Sequence, residues 1–156
     1  MAFSELNLKK CNLLKDQIKG KDVLSLGNPF LLNPRILNTI PLCKENKKEI
    51  LSQQKSVQAH YIIENVFQAR NFKTLDISPD EGADFIFDLN KKSLNKDLEN
   101  KFDFVLDFGT QEHIFNDMNA LSNIFKILKP GGKYLFDLPA NGQIDHGFRQ
   151  YSPTFF

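Results

Sequence analysis

The sequence predicts an α/β domain with a doubly wound, mostly parallel sheet. Short apolar runs typical of buried strands alternate along the chain with segments of helical periodicity. Strands connected in this way pair in parallel through right-handed crossovers. The chain has 156 residues, of which 41% are hydrophobic and 25% charged, so it is long and apolar enough to bury one core. We therefore expect helices on both faces of a single sheet.

The chain begins with a predicted helix and a predicted strand. Residues 4–19 have apolar residues at near-helical spacing behind Ser4, a good N-cap, and Gly20 is a natural helix stop. Residues 22–27 form a short apolar run that ends in glycine, the pattern of a strand buried on both faces. Residues 28–43 contain three prolines and therefore cannot form one continuous helix. Helical periodicity resumes over residues 45–70.

Four further apolar runs predict strands two to five, at residues 72–78, 84–88, 102–108 and 133–138. Between strands four and five, a helix is predicted at residues 117–129, with Asn116 and Asp117 as good caps. Its apolar stripe consists of Met118, Leu121, Ile124, Phe125 and Leu128. Lys129-Pro-Gly-Gly132 should end this helix, because proline blocks continuation and glycine adopts the left-handed conformation of a helix terminus.

Composition excludes several classes of function. Lys and Arg total 20 against 19 for Asp and Glu, so no bulk positive charge attracts nucleic acid. No apolar run approaches the roughly 20 residues of a membrane span, and the N-terminus lacks a signal-peptide core. Cys11 and Cys43 are isolated, which favours a reducing, cytoplasmic location. The three histidines are far apart in sequence, so no metal site is predicted.

The topology indicates where a ligand should bind. In doubly wound sheets, ligands lie outside the C-terminal strand ends, where the strand order reverses. The residues at these ends are Gly27–Phe30, Asp76–Ser78, Asp88–Asn90, Asp107–His113 and Pro139–Gly147.

These strand ends resemble those of class I S-adenosylmethionine-dependent methyltransferases. The strongest stretch runs from Phe102 to Pro139, FDFVLDFGTQEHIFNDMNALSNIFKILKPGGKYLFDLP, and is similar to the family pattern of strand, Glu-His loop, helix, Lys-Pro-Gly-Gly turn and strand. The tail PANGQIDHGFRQYSP resembles a subgroup sometimes associated with glycan pathways. The resemblance covers roughly residues 22–153. It implies a Rossmann-like sheet of about five strands in the order 3-2-1-4-5, without the usual last two strands.

The resemblance implies S-adenosylmethionine as the cofactor and S-adenosylhomocysteine as its product. Asp76 corresponds to the acidic ligand of the ribose hydroxyls, and its alternative role is a turn aspartate that caps Ser78 or Glu81. Asp88 lies where the family often contacts the adenine amino group, and it could instead cap residues 90–92. The full set of expected cofactor contacts is Gly27, Asn28, Asp76, Asp88 and Asp107.

The first strand departs from the family pattern of an acidic residue followed by Gly-x-Gly. Ser25 replaces the usual acid, and Pro29 stands at the position of the second glycine, where it removes an N–H and fixes φ. Gly27 still permits a tight turn. Two hypotheses remain open: an active methyltransferase, and a catalytically inactive fold that serves as a binding or structural module. A nucleotide-binding oxidoreductase is disfavoured because GxGxxG is absent.

The acceptor is expected to be a small molecule, with a sugar or sugar nucleotide as one candidate. His113 and His146 are the candidate catalytic bases, since imidazole titrates near neutral pH. The alternative for each is a histidine that holds a loop in place. Glu112, Asn141 and Asp145 are the expected substrate-side residues, and the loop 141–148 should form the acceptor side of the pocket.

We expect one methyltransferase-like domain over residues 1–156. It divides into an N-terminal helix (1–20), a sheet core (22–140), and an acceptor-side loop with the start of a helix (141–156). Ser152 and Pro153 are typical of the cap and first turn of that helix. Strand five would then be an exposed apolar edge. We therefore expect either a truncated version of a longer protein or a homo-oligomer that covers this edge.

Overall fold

The computed structural model describes residues 4–31 and 57–156. Within these residues, the central sheet has five parallel strands: β1 (Asp22–Leu26), β4 (Asn71–Asp76), β5 (Phe85–Ile86), β6 (Phe102–Asp107) and β7 (Leu128–Phe136). Their order across the sheet is β5-β4-β1-β6-β7. Counted along the sheet's own strands, this is the predicted order 3-2-1-4-5. The doubly wound, Rossmann-like prediction is confirmed.

The N-terminal segment forms two helices rather than the one predicted. They are α1 (Glu5–Leu13) and α2 (Lys15–Ile18), and the helical conformation is interrupted at Leu14 between them. Ser4 is the N-cap, as predicted, and forms a reciprocal capping box: its hydroxyl accepts from the Asn7 N–H at 3.1 Å, and Asn7 Oδ1 accepts from the Ser4 N–H at 2.8 Å. Gly20 has φ of +71°, which fits its predicted role as a stop.

The segment that precedes β4 differs from the long helix predicted over residues 45–70. In the part described, β2 (Phe30–Leu31) and β3 (Val57–Gln58) form a separate antiparallel pair. A short helix α3 (Ala59–Tyr61) follows and continues as a π-helix over Ile62–Val66. Residues 32–56, with Cys43, most of the proline-rich segment and the start of the predicted helix, lie outside the described residues.

The Lys-Pro-Gly-Gly segment lies inside a strand and does not separate helix from strand. The helix α4 (Asp117–Ile127), capped by Asn116, ends before this segment, and β7 already begins at Leu128. The register between β6 and β7 shifts between Phe102 and Phe104, so the segment forms an irregularity in the ladder. Gly131 has φ of +78°, a conformation that glycine adopts without a steric penalty. The predicted start of the fifth strand at residue 133 is therefore wrong.

Both faces of the sheet are covered by apolar clusters, because β1 and β6 alternate their side chains between two buried sides. One cluster joins the sheet to α1, α2 and α3, and includes Leu8, Ile18, Val23, Ile62, Phe72 and Phe104. The other joins it to α4, and includes Leu24, Leu75, Leu98, Val105, Ala120 and Ile124. The predicted α4 stripe was wrong at two positions: Met118 and Phe125 are exposed, whereas Ala120, Ile124 and Ile127 pack inward at helical spacing.

The end of β7 and Asp137, the residue that follows it, are contacted by residues from the N-terminal and C-terminal segments. Asn7 donates to the Asp137 carboxylate at 2.9 Å, and Lys10 pairs with the same group at 3.0 Å. The ring of Phe156 stacks on that of Phe136 at a centroid distance of 4.2 Å. Ser152 caps a single 3-10 turn at Pro153–Phe155, as its sequence predicted. The expected oligomer through the β7 edge stays a prediction.

No helix among the described residues is long and apolar enough to cross a membrane.

Candidate functional site

Two adjoining cavities open at the C-terminal ends of the strands, where the topology predicted a ligand. The larger has a volume of about 900 Å³ and is lined from β1, β4, β6 and β7 and from α1. Five of the residues that the sequence analysis assigned to the site line this larger cavity, namely Gly27, Asp76, Glu112, His113 and His146. The smaller, of about 120 Å³, is more apolar, and Leu75, Phe87, Leu89 and Ile114 form its walls, with Asp88 and Asn90 at its rim. Gly27, Asp76, Ile77, Thr110 and His113 line both cavities.

The turn after β1 forms the floor between the two cavities. Gly27 has φ of +77°, and its N–H donates to the Leu75 carbonyl at 2.7 Å, which fixes the turn to β4. Thr110 reaches across from the β6 loop and donates its hydroxyl to the Leu26 carbonyl at 3.0 Å. The expected cofactor contact Asn28 does not line either cavity; its amide donates to the Glu81 carbonyl at 2.6 Å and ties this turn to the loop after β4.

Asp76 ends its strand as predicted, whereas Asp88 lies two residues beyond the end of β5 at Ile86, so the predicted strand end at residue 88 is wrong. Each carboxylate also makes the local cap that was the alternative. Asp76 Oδ1 accepts from the Ser78 N–H at 3.2 Å. Asp88 Oδ1 accepts from both the main-chain and the side-chain nitrogen of Asn90, each at 2.9 Å. Both carboxylates line the smaller cavity. A local cap therefore orients each carboxylate and does not remove it from the cavity wall.

Asp107, another expected cofactor contact, lies beneath the cavity rather than in it. Its side chain is fully buried. Oδ1 accepts from the N–H groups of Gly109 at 3.2 Å and Thr110 at 2.8 Å, and Oδ2 lies 2.8 Å from the Tyr134 hydroxyl. Burial raises the pKa of Asp107 to about 6, although the hydrogen bonds from Thr110 and Tyr134 act against that rise. These contacts fix the loop that follows β6 and hence the residues that do face the cavity.

The Tyr134 hydroxyl makes a second short contact that determines the orientation of Gln111. It lies 2.7 Å from Gln111 Oε1, yet one phenolic hydrogen cannot serve two acceptors. The buried Nε2 of Gln111 has no partner among the described residues. A half-turn of this amide brings Nε2 to the Tyr134 oxygen and leaves the phenolic hydrogen for Asp107. With that orientation, Tyr134 links Gln111 to Asp107 in one chain of hydrogen bonds.

Glu112 is a buried carboxylate held closely between two glycines. Its side chain is 2% exposed, and its Oε2 has no hydrogen-bond partner among the described residues. A Cβ on Gly109 would lie 3.0 Å from Glu112 Oε1, and one on Gly147 would lie 2.8 Å from the Glu112 carbonyl oxygen. Burial raises the pKa of Glu112, and the nearby His146 acts against that rise.

The two candidate histidines converge on Glu112. Nε2 of His146 lies 3.6 Å from Glu112 Oε1, and the ring centroids of His113 and His146 are 5.0 Å apart. Burial and the neighbouring His146 lower the pKa of His113. The Phe148 N–H donates to the Glu112 carbonyl at 2.8 Å, so the loop 141–148 packs on the side of the sheet where it was expected.

Two predicted substrate-side residues fall outside this cluster, as does the third histidine, His60, which was not predicted to belong to the site. Asn141 and Asp145 are exposed and are not among the residues that line the larger cavity, which the same loop reaches through Gln143 and His146. His60 lies away from the site on α3, paired with Glu64 at 3.0 Å. The expected substrate-side roles of Asn141 and Asp145 stay predictions.

The sequence analysis missed the contribution of the N-terminal segment. Ser4, Leu6 and Asn7 line the larger cavity, because α1 is tied to Asp137 after β7. The near-helical spacing of its apolar residues predicted a helix, but no signal in the sequence indicated which end of the sheet it approaches. Leu6 is 54% exposed and lines this cavity.

Similarity to known proteins is confined to three-dimensional structure. No family model matches the sequence, and no curated protein matches it. Among solved structures, the chain is similar to the crystal structure of the trans-methyltransferase CalH in complex with SAH, with 17% identity and a TM-score of 0.49. The match covers 86% of this chain and 36% of that one, so the chain spans about a third of that protein's length. The assignment of the fold rests on the strand order of the sheet itself.

Proposed function

We propose that this protein binds S-adenosylmethionine and transfers its methyl group to a small-molecule acceptor. One observation above all supports this: Asp76 ends the strand next to β1 and lies where a narrow apolar cavity meets a wider one with both polar and apolar lining. An adenosine moiety needs the same sequence of environments, with a flat apolar slot for the base and a carboxylate for the ribose hydroxyls.

The smaller cavity fits the adenine. Phe87, Leu89 and Ile114 supply apolar walls, and Asp88 offers a carboxylate at the rim for an exocyclic amino group. The ribose would then lie at Asp76, whose carboxylate accepts hydrogen bonds from both hydroxyls. Beyond it, the sulfonium and its methyl group would face the larger cavity, above the turn at Gly27.

The acceptor would occupy the far side of the larger cavity, against His113 and His146. Methyl transfer to a well-placed acceptor relies largely on proximity and alignment, because the sulfonium is already activated. The protein's main tasks are therefore to hold both molecules in line and to exclude water. A hydroxyl-rich acceptor such as a sugar or sugar nucleotide suits the polar lining of Ser4, Asn7 and Gln143.

Calorimetric titration with S-adenosylhomocysteine tests the proposal. We expect binding by the native chain, and a loss of roughly 10- to 100-fold in affinity for Asp76→Asn, since a charged acceptor of two hydrogen bonds contributes about 1.5–3 kcal/mol. Asp97→Asn is the matched control, because Asp97 is an exposed aspartate on the 3-10 turn Lys96–Leu98. Its affinity should equal that of the native chain.

Absence of binding by the native chain would refute the proposal and favour the alternative of an inactive fold. The observation behind that alternative is Pro29, which is buried at the position where methyltransferases of this class carry a second glycine. Binding that survives in Asp76→Asn would instead remove Asp76 from the site and leave the cofactor assignment intact.

A further inference from the structure

We propose that Glu112, His113 and His146 form a binding site for a divalent transition-metal ion at the acceptor side of the larger cavity. The proposal rests on these three side chains alone and does not depend on the proposed methyl transfer. Their ligand atoms all lie within 4.8 Å of one another, and all three residues line the larger cavity.

The distances are short enough for one ion to bridge the three groups. Zinc binds imidazole nitrogen and carboxylate oxygen at about 2.0–2.2 Å, so donor atoms around a tetrahedral ion lie about 3.4 Å apart. His146 Nε2 and Glu112 Oε1 are already 3.6 Å apart. His113 and His146 are exposed, so their rings can rotate by the additional ångström or so without disturbing the core.

Glu112 provides a second, independent indication of a cation. Its carboxylate is 2% exposed, and among the described residues no donor reaches Oε2. An ionised carboxylate buried in this way is costly unless a positive charge or further donors compensate it. The His146 Nε2 lies 3.6 Å from the other oxygen, Oε1. A bound divalent ion supplies the missing charge at the place where the two imidazoles also converge.

The main chain is arranged so that the two loops bring these ligands together. Phe148 donates its N–H to the Glu112 carbonyl at 2.8 Å, and Gly147 lets the His146 loop approach Glu112 more closely than any side chain would allow. His113 follows Glu112 directly, on the 3-10 turn Gln111–His113. The site is thus formed by one short turn after β6 and one loop after β7.

The donor set indicates the class of ion. Two imidazoles and one carboxylate suit zinc, iron, nickel or cobalt, whereas magnesium and calcium prefer sites made of oxygen atoms alone. Three protein ligands leave at least one coordination position open, and this position faces the cavity. An oxygen atom of a bound small molecule would fill it.

The test is calorimetric titration of the untagged, chelator-treated chain with zinc chloride. We expect one equivalent of zinc per chain, and a loss of more than about tenfold in affinity for His113→Ala and for His146→Ala. His60→Ala is the matched control, since His60 is the remaining histidine of the chain and lies on α3. The zinc affinity of this variant should equal that of the native chain. Magnesium chloride should give no binding.

Glu112→Gln tests the carboxylate separately, because it keeps the size of the buried side chain and removes its charge. We expect weaker zinc binding with an unchanged circular-dichroism spectrum. If this variant does not fold, the two histidine variants decide, since both side chains are exposed. Absence of zinc binding by the native chain would overturn the proposal. So would a His60→Ala variant as impaired as the other two, or full affinity in both His113→Ala and His146→Ala.

Discussion

His146 Nε2 lies 3.6 Å from Oε1 of the buried Glu112, although the two residues belong to loops that follow different strands. The short distance between these two side chains depends on main-chain contacts of the residues that follow His146, rather than on the imidazole itself. Gly147 packs against the Glu112 main chain, and the Phe148 N–H donates to its carbonyl at 2.8 Å. The position of His146 is therefore fixed by its neighbour in sequence, and a change at Gly147 should affect the whole site.

We predict that Gly147→Ala destabilises the protein by about 1–3 kcal/mol and weakens zinc binding. The added Cβ would lie 2.8 Å from the Glu112 carbonyl oxygen and 3.2 Å from its carbonyl carbon, so the main chain of the loop must shift. Thermal unfolding and zinc titration measure the two effects.

Gly142→Ala is the control for this change. It lies in the same loop with no atom within 4 Å of the added Cβ, although its φ of +72° carries a local penalty of about 1 kcal/mol. Its zinc affinity should stay at the native value. Equal zinc affinity in both alanine variants would show that the close contact at Gly147 does not position His146.

The Tyr134 hydroxyl should be important for the stability of the loop after β6. We predict that Tyr134→Phe destabilises the protein by about 1–3 kcal/mol, because Asp107 Oδ2 would lose its side-chain donor in a fully buried position. Urea unfolding measures the loss. In a double-mutant cycle with Asp107→Ala, the two changes should be non-additive, since each removes the same hydrogen bond. Additive losses would contradict the direct link between these groups.

The overall topology could be predicted from the sequence because it depends on local patterns. Apolar runs such as residues 22–27 and 102–108 become parallel strands wherever helical segments separate them. The sequence-based predictions fail where pairing with a distant strand determines the local secondary structure. Lys129-Pro-Gly-Gly132 contains strong helix-ending residues, yet the ladder with β6 continues around it as an irregular strand.

The candidate site was predictable only in part, for a related reason. Strand-end residues such as Asp76 follow from the topology alone, whereas the fate of Asp107 depends on the tyrosine that faces it from β7. Sequence spacing argued against a metal site because His113 and His146 are far apart along the chain. Only the folded loops bring them, with Glu112, to within 4.8 Å.

Asn123 should determine the shape of the smaller cavity. It is fully buried on α4, and its amide donates to the carbonyls of Leu89 at 3.1 Å and Lys91 at 2.8 Å. We predict that Asn123→Ala destabilises the protein by about 1–3 kcal/mol, because two carbonyl groups lose their donor. It should also weaken S-adenosylhomocysteine binding, since Leu89 lines the cavity. Ser122→Ala, an exposed neighbour on the same helix, is the control and should change neither quantity.

The opposite end of the sheet contains an ion cluster whose effect should depend on pH. Asp22 accepts from Arg70 Nε at 2.9 Å, from Asn71 Nδ2 at 2.8 Å and from Lys129 Nζ at 2.7 Å. Asp103 shares Lys129 at 3.0 Å and accepts the Asp22 N–H. The Arg70 hydrogen bond, assisted by those from Lys129 and Asn71, holds the pKa of Asp22 well below its usual value of 3.8.

We predict that Asp22→Asn destabilises the protein by about 1–3 kcal/mol at pH 7, and that the difference from the native chain shrinks below pH 4. A carboxyl whose pKa is lower in the folded state stabilises that state above its unfolded pKa of 3.8, and this contribution is lost as the pH falls towards the folded pKa. Urea unfolding at pH 7, 4 and 3 should therefore give a difference that falls by about 1 kcal/mol over the last pH unit. Asp16→Asn, at an exposed position on α2, is the control and should stay within about 0.5 kcal/mol of the native chain at every pH. A difference for Asp22→Asn that is constant from pH 7 to pH 3 would show that this carboxylate acts through its shape and neutral hydrogen bonds rather than through its charge.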